Sequence, residues 1–301
     1  MQKKELEVDV GELFKSLWEE KIVIVGITTL FIIIAVVYAL SKPNIYRAET
    51  LLVPVSDKNQ ISNLASQLGG LASFAGINLG GKSGTQAELA LKILESRQFS
   101  KKFIEEHDIL VPLMALKSWD SSTLEHHIDE ELYDINTQTW IRKVKNNKLA
   151  KPSDWEAHKE FNLIVDFEQK KSTGFIVMSV ESKSPILAQQ WANWLVSDLN
   201  HWMREEDIEE YQNNIAYLED RLEKTLLTDM QKVFYQLIEE QIKKLMLAEV
   251  KDEYVLKVVD PAVLPEEKYS PRRAVICILG AFIGGIFSLI VAAIRIARRS
   301  K

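Results

Sequence analysis

Cysteine is nearly absent from this chain. The one copy, Cys277, lies inside an apolar run near the C-terminus, so no disulfide is available to the rest of the sequence and its folding must rest on packing. The five histidines, His107, His126, His127, His158 and His201, form no HxxxH or HExxH pair, so neither a metal site nor a cofactor is expected. No serine sits in a GxSxG elbow, which leaves no candidate nucleophile and no catalytic constellation. A basic stripe is also missing. Between residues 41 and 273, 29 Lys and Arg stand against 37 Asp and Glu, a net charge of −8 that argues against nucleic acid and against polyphosphate ligands. Glycine does not occur from 175 to 279, nor proline between Pro185 and Pro261, so nothing there punctuates long helices.

Two uncharged apolar runs are present instead, Ile22–Leu40 and Ala274–Ile294, of 19 and 21 residues. A helix needs about 20 apolar residues to cross a bilayer. The first run is preceded by 21 residues and exceeds the usual signal-peptide core, so it reads as an anchor although Val37-Tyr38-Ala39 imitates a cleavage site. Lys3, Lys4, Lys15 and Lys21 flank one run, and Arg295, Arg298, Arg299 and Lys301 the other. The positive-inside rule then puts both tails in the cytoplasm and the long middle segment outside it, in a bacterial periplasm. The expected divisions are a tail at 1–21, a span at 22–40, an extramembrane domain at 41–273, a span at 274–294 and a tail at 295–301.

Along the middle segment, Arg47–Pro54 reads as a strand. Asn59–Gly84 is rich in Gly, Ser and Ala and reads as a loop or small-residue surface. From Thr85 to His107, Leu89, Ile93, Phe99 and Phe103 recur at helical spacing with Ile104 beside them, and Leu110-Val111-Pro112 breaks that helix. Residues 121–145 read as mostly helical. Phe161–Phe167 and Gly174–Val180 read as a β-hairpin. Ser184-Pro185 then opens a helix with a hydroxyl cap and proline at the first helical position.

Within that helix Ile208, Tyr211, Ile215, Leu218 and Leu222 are spaced 3, 4, 3, 4, a coiled-coil seam. The pattern falters near Leu226, and Thr228 with Gln231 suggests a capping box for a second helix to Val250, with Met230, Val233, Phe234, Leu237 and Leu245 on its apolar face. Tyr254–Val259 reads as a strand. A chain tethered at both ends must rise and return, so a helical hairpin over about 185–250, standing on a membrane-proximal α/β base, is the expected α+β architecture.

Other patterns tempt. Gly76–Ser83 matches GxxxxGK[ST], and Leu163–Asp166 could imitate a magnesium-binding strand. A phosphate loop follows a buried strand, whereas Leu64–Ala75 is Ala/Gly/Ser-rich, and the topology removes it from cytoplasmic ATP. Glu205, Glu206, Asp207, Glu209 and Glu210 form an acidic run that suits an exposed helix face better than a glycosidase pair. Trp191, Trp194 and Trp202 suit core packing, with sugar stacking as the alternative. In the second run Gly280, Ala281, Gly284 and Gly285 give overlapping small-xxx-small spacings that favour close helix packing in lipid.

Several segments together resemble the Wzz family of polysaccharide chain-length determinants, the polysaccharide co-polymerases. They are Val8-Asp9-Val10-Gly11-Glu12-Leu13-Phe14, Tyr46–Glu49 with Leu52-Val53-Pro54, Leu68–Ala72, Leu94-Glu95-Ser96-Arg97, Leu237-Ile238-Glu239 with Gln241, Met246-Leu247-Ala248, and the approach Asp260-Pro261-Ala262, Pro265, Pro271-Arg272. The resemblance implies a non-enzymatic inner-membrane homo-oligomer that sets the modal length of a surface polysaccharide, commonly lipopolysaccharide O-antigen, made by a Wzy-type polymerase. Lipid-linked polysaccharide is a further candidate partner. With seven residues after the second run, a kinase domain in cis is not expected. On this reading the hairpin seam carries subunit contacts, the spans contact the polymerase, and Pro261, Pro265 and Pro271 form an extended connector. Other glycans (enterobacterial common antigen, capsule, exopolysaccharide) remain alternatives of the same class, and a two-span periplasmic ligand sensor is the alternative of another class.

Overall fold

The computed structural model describes residues 18, 20–55, 82–144, 148–170 and 172–299. The acidic-apolar lead-in Val8–Phe14, the Gly/Ser/Ala-rich stretch as far as residue 81 and most of the GxxxxGK[ST] match lie outside the described residues. The chain divides into two compact units, one made from its two ends (residues 1–45 and 268–301) and one spanning Tyr46–Glu267.

The first unit is a helix pair, α1 (Lys21–Ser41) and the last helix of the chain, Arg273–Arg299. Both are long and apolar enough to cross a membrane. Outside the regular helices, Ile45 and Ser270 form a β-bridge in which Ile45 N donates to Ser270 O at 2.8 Å.

The second unit is built on a four-stranded antiparallel sheet of order β6-β7-β1-β8, from β1 (Tyr46–Pro54), β6 (Val165–Gln169), β7 (Ile176–Ser182) and β8 (Leu256–Asp260). Tyr46 pairs with Ser182 and Leu52 with Ile176. One face is fixed by period-two burial: Ala48, Thr50 and Leu52 on β1, Ile176, Met178 and Val180 on β7. The β6–β7 connection turns through Gly174 at φ +75°, a conformation that favours glycine.

Among the described residues, four shorter helices complete the base: α2 (Lys82–Leu94), α3 (Arg97–Glu106), α4 (Leu110–Ala115) and α5 (Asp154–Ile164). Two small ladders, β2–β3 (Leu116–Trp119, His126–Ile128) and β4–β5 (Tyr133–Asp134, Thr139–Trp140), lie between α4 and α5. The dominant element is α6 (Pro185–Glu223), about 58 Å long at 1.5 Å per residue. Ser184 caps it by accepting from Leu187 N. Its first half packs Ala188, Trp191, Ala192, Leu195, Val196, Leu199 and Met203 into the core at spacings of 3, 1, 3, 1, 3 and 4, a helical stripe over the sheet. A short turn leads to α7 (Thr228–Val250), which runs back along the second half of α6. The final helix, Arg273–Arg299, is α8.

Several expectations are corrected. Residues 121–145 are not helical where they are described. Asp120 accepts from Ser122 N and Asp134 from Asn136 N, and these local side-chain bonds favour turns over helix. Leu110–Pro112 opens α4 rather than a break. The helical stretch from residue 85 to 107 is interrupted at Ser96, whose hydroxyl caps α3 by accepting from Phe99 N, and Leu89 is exposed. Phe161–Ile164 belongs to α5, because Ser153 and Glu156 form a reciprocal capping box upstream, and the hairpin begins only at Val165. At the start of α7 there is no capping box: Leu227 is the cap residue, and Gln231 Nε2 donates back to Thr225 O. Met230, Val233 and Leu237 are exposed, while Phe234, Ile238, Gln241, Leu245 and Ala248 face inward.

Candidate functional site

The hairpin seam is the most extended feature of the second unit. Ile208, Tyr211, Ile215, Leu218 and Leu222 are each half-buried along α6. Phe234, Ile238, Gln241, Leu245 and Ala248 answer on α7 at spacings of 4, 3, 4 and 3, as knobs-into-holes packing requires. The exposed side of α7 carries a second apolar stripe of Met230, Val233 and Leu237, with Leu226 and Leu227 beside it at the turn. Single exposed apolar residues are ordinary, but Met230, Val233 and Leu237 fall in one row along the helix.

Where the hairpin leaves the base, polar side chains tie the elements together. Tyr254 donates its hydroxyl to Asp207 Oδ2 at 2.5 Å, and Gln86 Nε2 reaches the same oxygen at 3.4 Å. Burial and this bond to a carboxylate push the Tyr254 hydroxyl far above the usual tyrosine range, so it stays a donor. Burial likewise raises Tyr211. Lower on α6, Asp198 Oδ2 and His107 Nε2 lie 2.6 Å apart. Burial pushes the Asp198 carboxyl up, and the bond to His107 opposes that shift. The His107 ring stacks flat on Trp194 with centroids 4.1 Å apart.

Sequence reasoning missed the residues that hold β8. Asn200, 5% exposed, accepts from Val255 N and Leu256 N, both at 2.9 Å, and donates to Leu256 O at 2.8 Å. Asn193 does the same for Ala262, accepting from its N and donating to its O at 3.2 Å each, with Gln189 Nε2 on the same oxygen. The α6 side chains therefore supply backbone partners to the sheet's edge strand and to the chain beyond it. A signal existed: Asn200 falls four residues after Val196, on an apolar stripe where an amide is out of place.

Among the proposed connector residues, Pro261 and Pro265 flank backbone with no helix or strand assignment, anchored at Ala262 by α6. Pro271 follows a cis Ser270–Pro271 bond just before α8. In the helix pair, Gly280 and Gly284 of α8 face α1 of the same chain. A Cβ on Gly280 would lie 2.4 Å from Ala35 Cβ, and one on Gly284 2.7 Å from Phe31 Cβ. Ala281 is half-buried, and Gly285 has nothing within 4 Å of a built Cβ. Further along, Thr28 and Ser288 hydroxyls are 3.4 Å apart, and Arg273 bonds Ala39 O and Asn44 Oδ1. Glu20 and Arg295 approach to 3.6 Å.

With this geometry in view, comparison with known proteins gives three findings. Residues 6–107 match the family described as Wzz, chain length determinant protein. No curated protein matches the chain. Among solved structures, the chain is similar to a full-length bacterial polysaccharide co-polymerase, at 13% identity and TM-score 0.38 over 97% of this chain and 99% of that one. It is also similar to a fragment of WzzB, the polysaccharide co-polymerase from Salmonella Typhimurium, at 15% identity and TM-score 0.32 over 75% of this chain and 100% of that one. The likeness to the Wzz chain length determinant proteins rests on residues 6–107, about a third of this chain.

Proposed function

We propose that this protein regulates the chain length of a surface polysaccharide, setting the modal length of lipopolysaccharide O-antigen made by a Wzy-type polymerase. It acts without catalysing a reaction, as a homo-oligomeric scaffold in the bacterial inner membrane. Helices α1 and α8 are its two spans, the Tyr46–Glu267 body is periplasmic, and both termini are cytoplasmic. The observation that carries this reading is the chain-length-determinant match over residues 6–107. Two physical features support it. A body tethered by apolar helices at both ends suits a membrane-held scaffold, and the exposed Met230–Val233–Leu237 stripe gives copies a surface on which to associate.

The test is deletion of the gene followed by gel analysis of lipopolysaccharide. The modal cluster of bands is expected to vanish and lengths to drift; restoring the full chain recovers the cluster. A ladder unchanged by deletion refutes the O-antigen assignment.

A further inference from the structure

The three tryptophans of α6 have separate surroundings. Trp191 is 2% exposed in the core, and Trp194 is covered by the His107 ring. Trp202 alone lines an open groove of about 600 Å³ between α3 and the middle of α6. On α3 the groove is faced by Gln98 and Lys102, one turn apart; on α6, by Trp202, Glu205, Glu206, Glu209 and Gln212, which fall on one side of the helix. Phe99 packs on the indole at 5.8 Å, inclined by 63°, and so sets the plane of the ring. The Lys102 ammonium hangs 5.1 Å over it on a flexible stem.

The chemistry of these walls is mixed. An indole offers a flat apolar surface, the carboxylates accept hydrogen bonds in pairs, and the carboxamides donate and accept. Trp202 Nε1 is buried and makes no hydrogen bond among the described residues, so what the indole can offer the groove is its face rather than its N–H. Sugars present this combination in reverse: apolar C–H faces edged by hydroxyls. Three carboxylates against one ammonium make the groove anionic, and none of Glu205, Glu206 and Glu209 is held in an ion pair among the described residues. Such a wall repels uronates and sugar phosphates and attracts ammonium groups.

We propose that the α3–α6 groove is an oligosaccharide-binding site selective for neutral or amine-bearing sugars over acidic ones, with Trp202 as its stacking platform and Glu205, Glu206 and Glu209 as its selectivity wall. The proposal rests on the polysaccharide reading above and names the glycan chemistry that this protein touches. Lys102 swings off the ring as the sugar arrives.

The test uses the full chain in nanodiscs, labelled with 5-fluorotryptophan and followed by 19F NMR, with Trp202→Phe assigning the Trp202 signal. Three probes are titrated to millimolar concentration: the trimers of glucosamine, N-acetylglucosamine and galacturonic acid. The Trp202 signal should move with the first two and stay still with the third. Changing all three glutamates to glutamine (E205Q/E206Q/E209Q) should weaken the glucosamine trimer about tenfold, as loss of charge-assisted bonds implies, and narrow the gap to galacturonate. A Trp202 signal unmoved by every trimer, or moved equally by all three in both proteins, overturns the proposal and identifies the acidic run as a solvated face. That failure is distinguishable from failure of the functional reading, which shows only in the lipopolysaccharide ladder of the deletion strain.

Discussion

Asn200 offers the sharpest test of how the base is held together. Its carboxamide is the hydrogen-bond partner of two backbone donors, Val255 N and Leu256 N, and one acceptor, Leu256 O, at 2.8–2.9 Å. The Leu256 side chain beside it is fully buried. Replacing Asn200 with Ala removes all three bonds and leaves those backbone groups without their partner. At about 1 kcal/mol for each buried group so orphaned, the loss is about 3 kcal/mol. For a body of this size, 1 kcal/mol moves the melting point by about 2–4 °C, so a fall of about 6–12 °C is expected. Thermal unfolding of the full chain in detergent measures it, with Asn213→Ala, on an exposed position of the same helix, as control. Hydrogen exchange adds a local readout, since the Val255 and Leu256 amides should lose protection before those of β7. A change in melting no larger than the control's, about 0.5 kcal/mol or less, refutes the claim that α6 templates the edge strand.

Further outcomes follow from other sites. Lys148 and then Arg142, with Ser153 N, hold the Glu156 carboxyl down to about 2 from an ordinary 4.5. A depressed carboxylate contributes stability that is fully present above its unfolded value and fades as pH falls from about 4.5 towards 2, so Glu156→Gln should flatten acid unfolding curves in that window. In a Cys277→Ala background, cysteines at Thr28 and Ser288 should cross-link α1 to α8. Gly284→Leu should cut the yield several-fold because its Cβ would lie 2.7 Å from Phe31, whereas Gly285→Ala should leave it unchanged. Finally, Val233→Glu with Leu237→Glu should lower the oligomer size measured by light scattering while circular dichroism stays constant. Ile238→Ala, at the inner seam, should instead destabilise the fold by about 2–5 kcal/mol.

Much of the fold was legible because its signals are local and repeated. The apolar runs needed only length and absence of charge, and Ser184-Pro185 announced α6 within one residue. Ile208–Leu222 declared a seam through spacing alone. Failures came where a short pattern had two readings. Phe161–Phe167 looks β-rich in isolation, yet the Ser153–Glu156 capping box commits its first half to helix. Met230, Val233 and Leu237 are as apolar as Phe234 and Ile238; which row turns inward depends on how α7 rolls against α6, and no helix carries that information by itself.

The sequence by itself determined that this chain has two membrane-length apolar ends, a disulfide-free body and a long two-helix segment, because each follows from composition or from a period that one element displays alone. Tertiary structure decided what those elements do for one another. It turned Gly280 and Gly284 towards α1, joined Asn200 to the edge strand and Asn193 to the chain just beyond it, each more than 50 residues ahead, and left Trp202 as the tryptophan of α6 that faces an open groove. Such pairings are set by packing between distant segments, where the free energy lies in the fit of two surfaces, and a single surface cannot encode its partner.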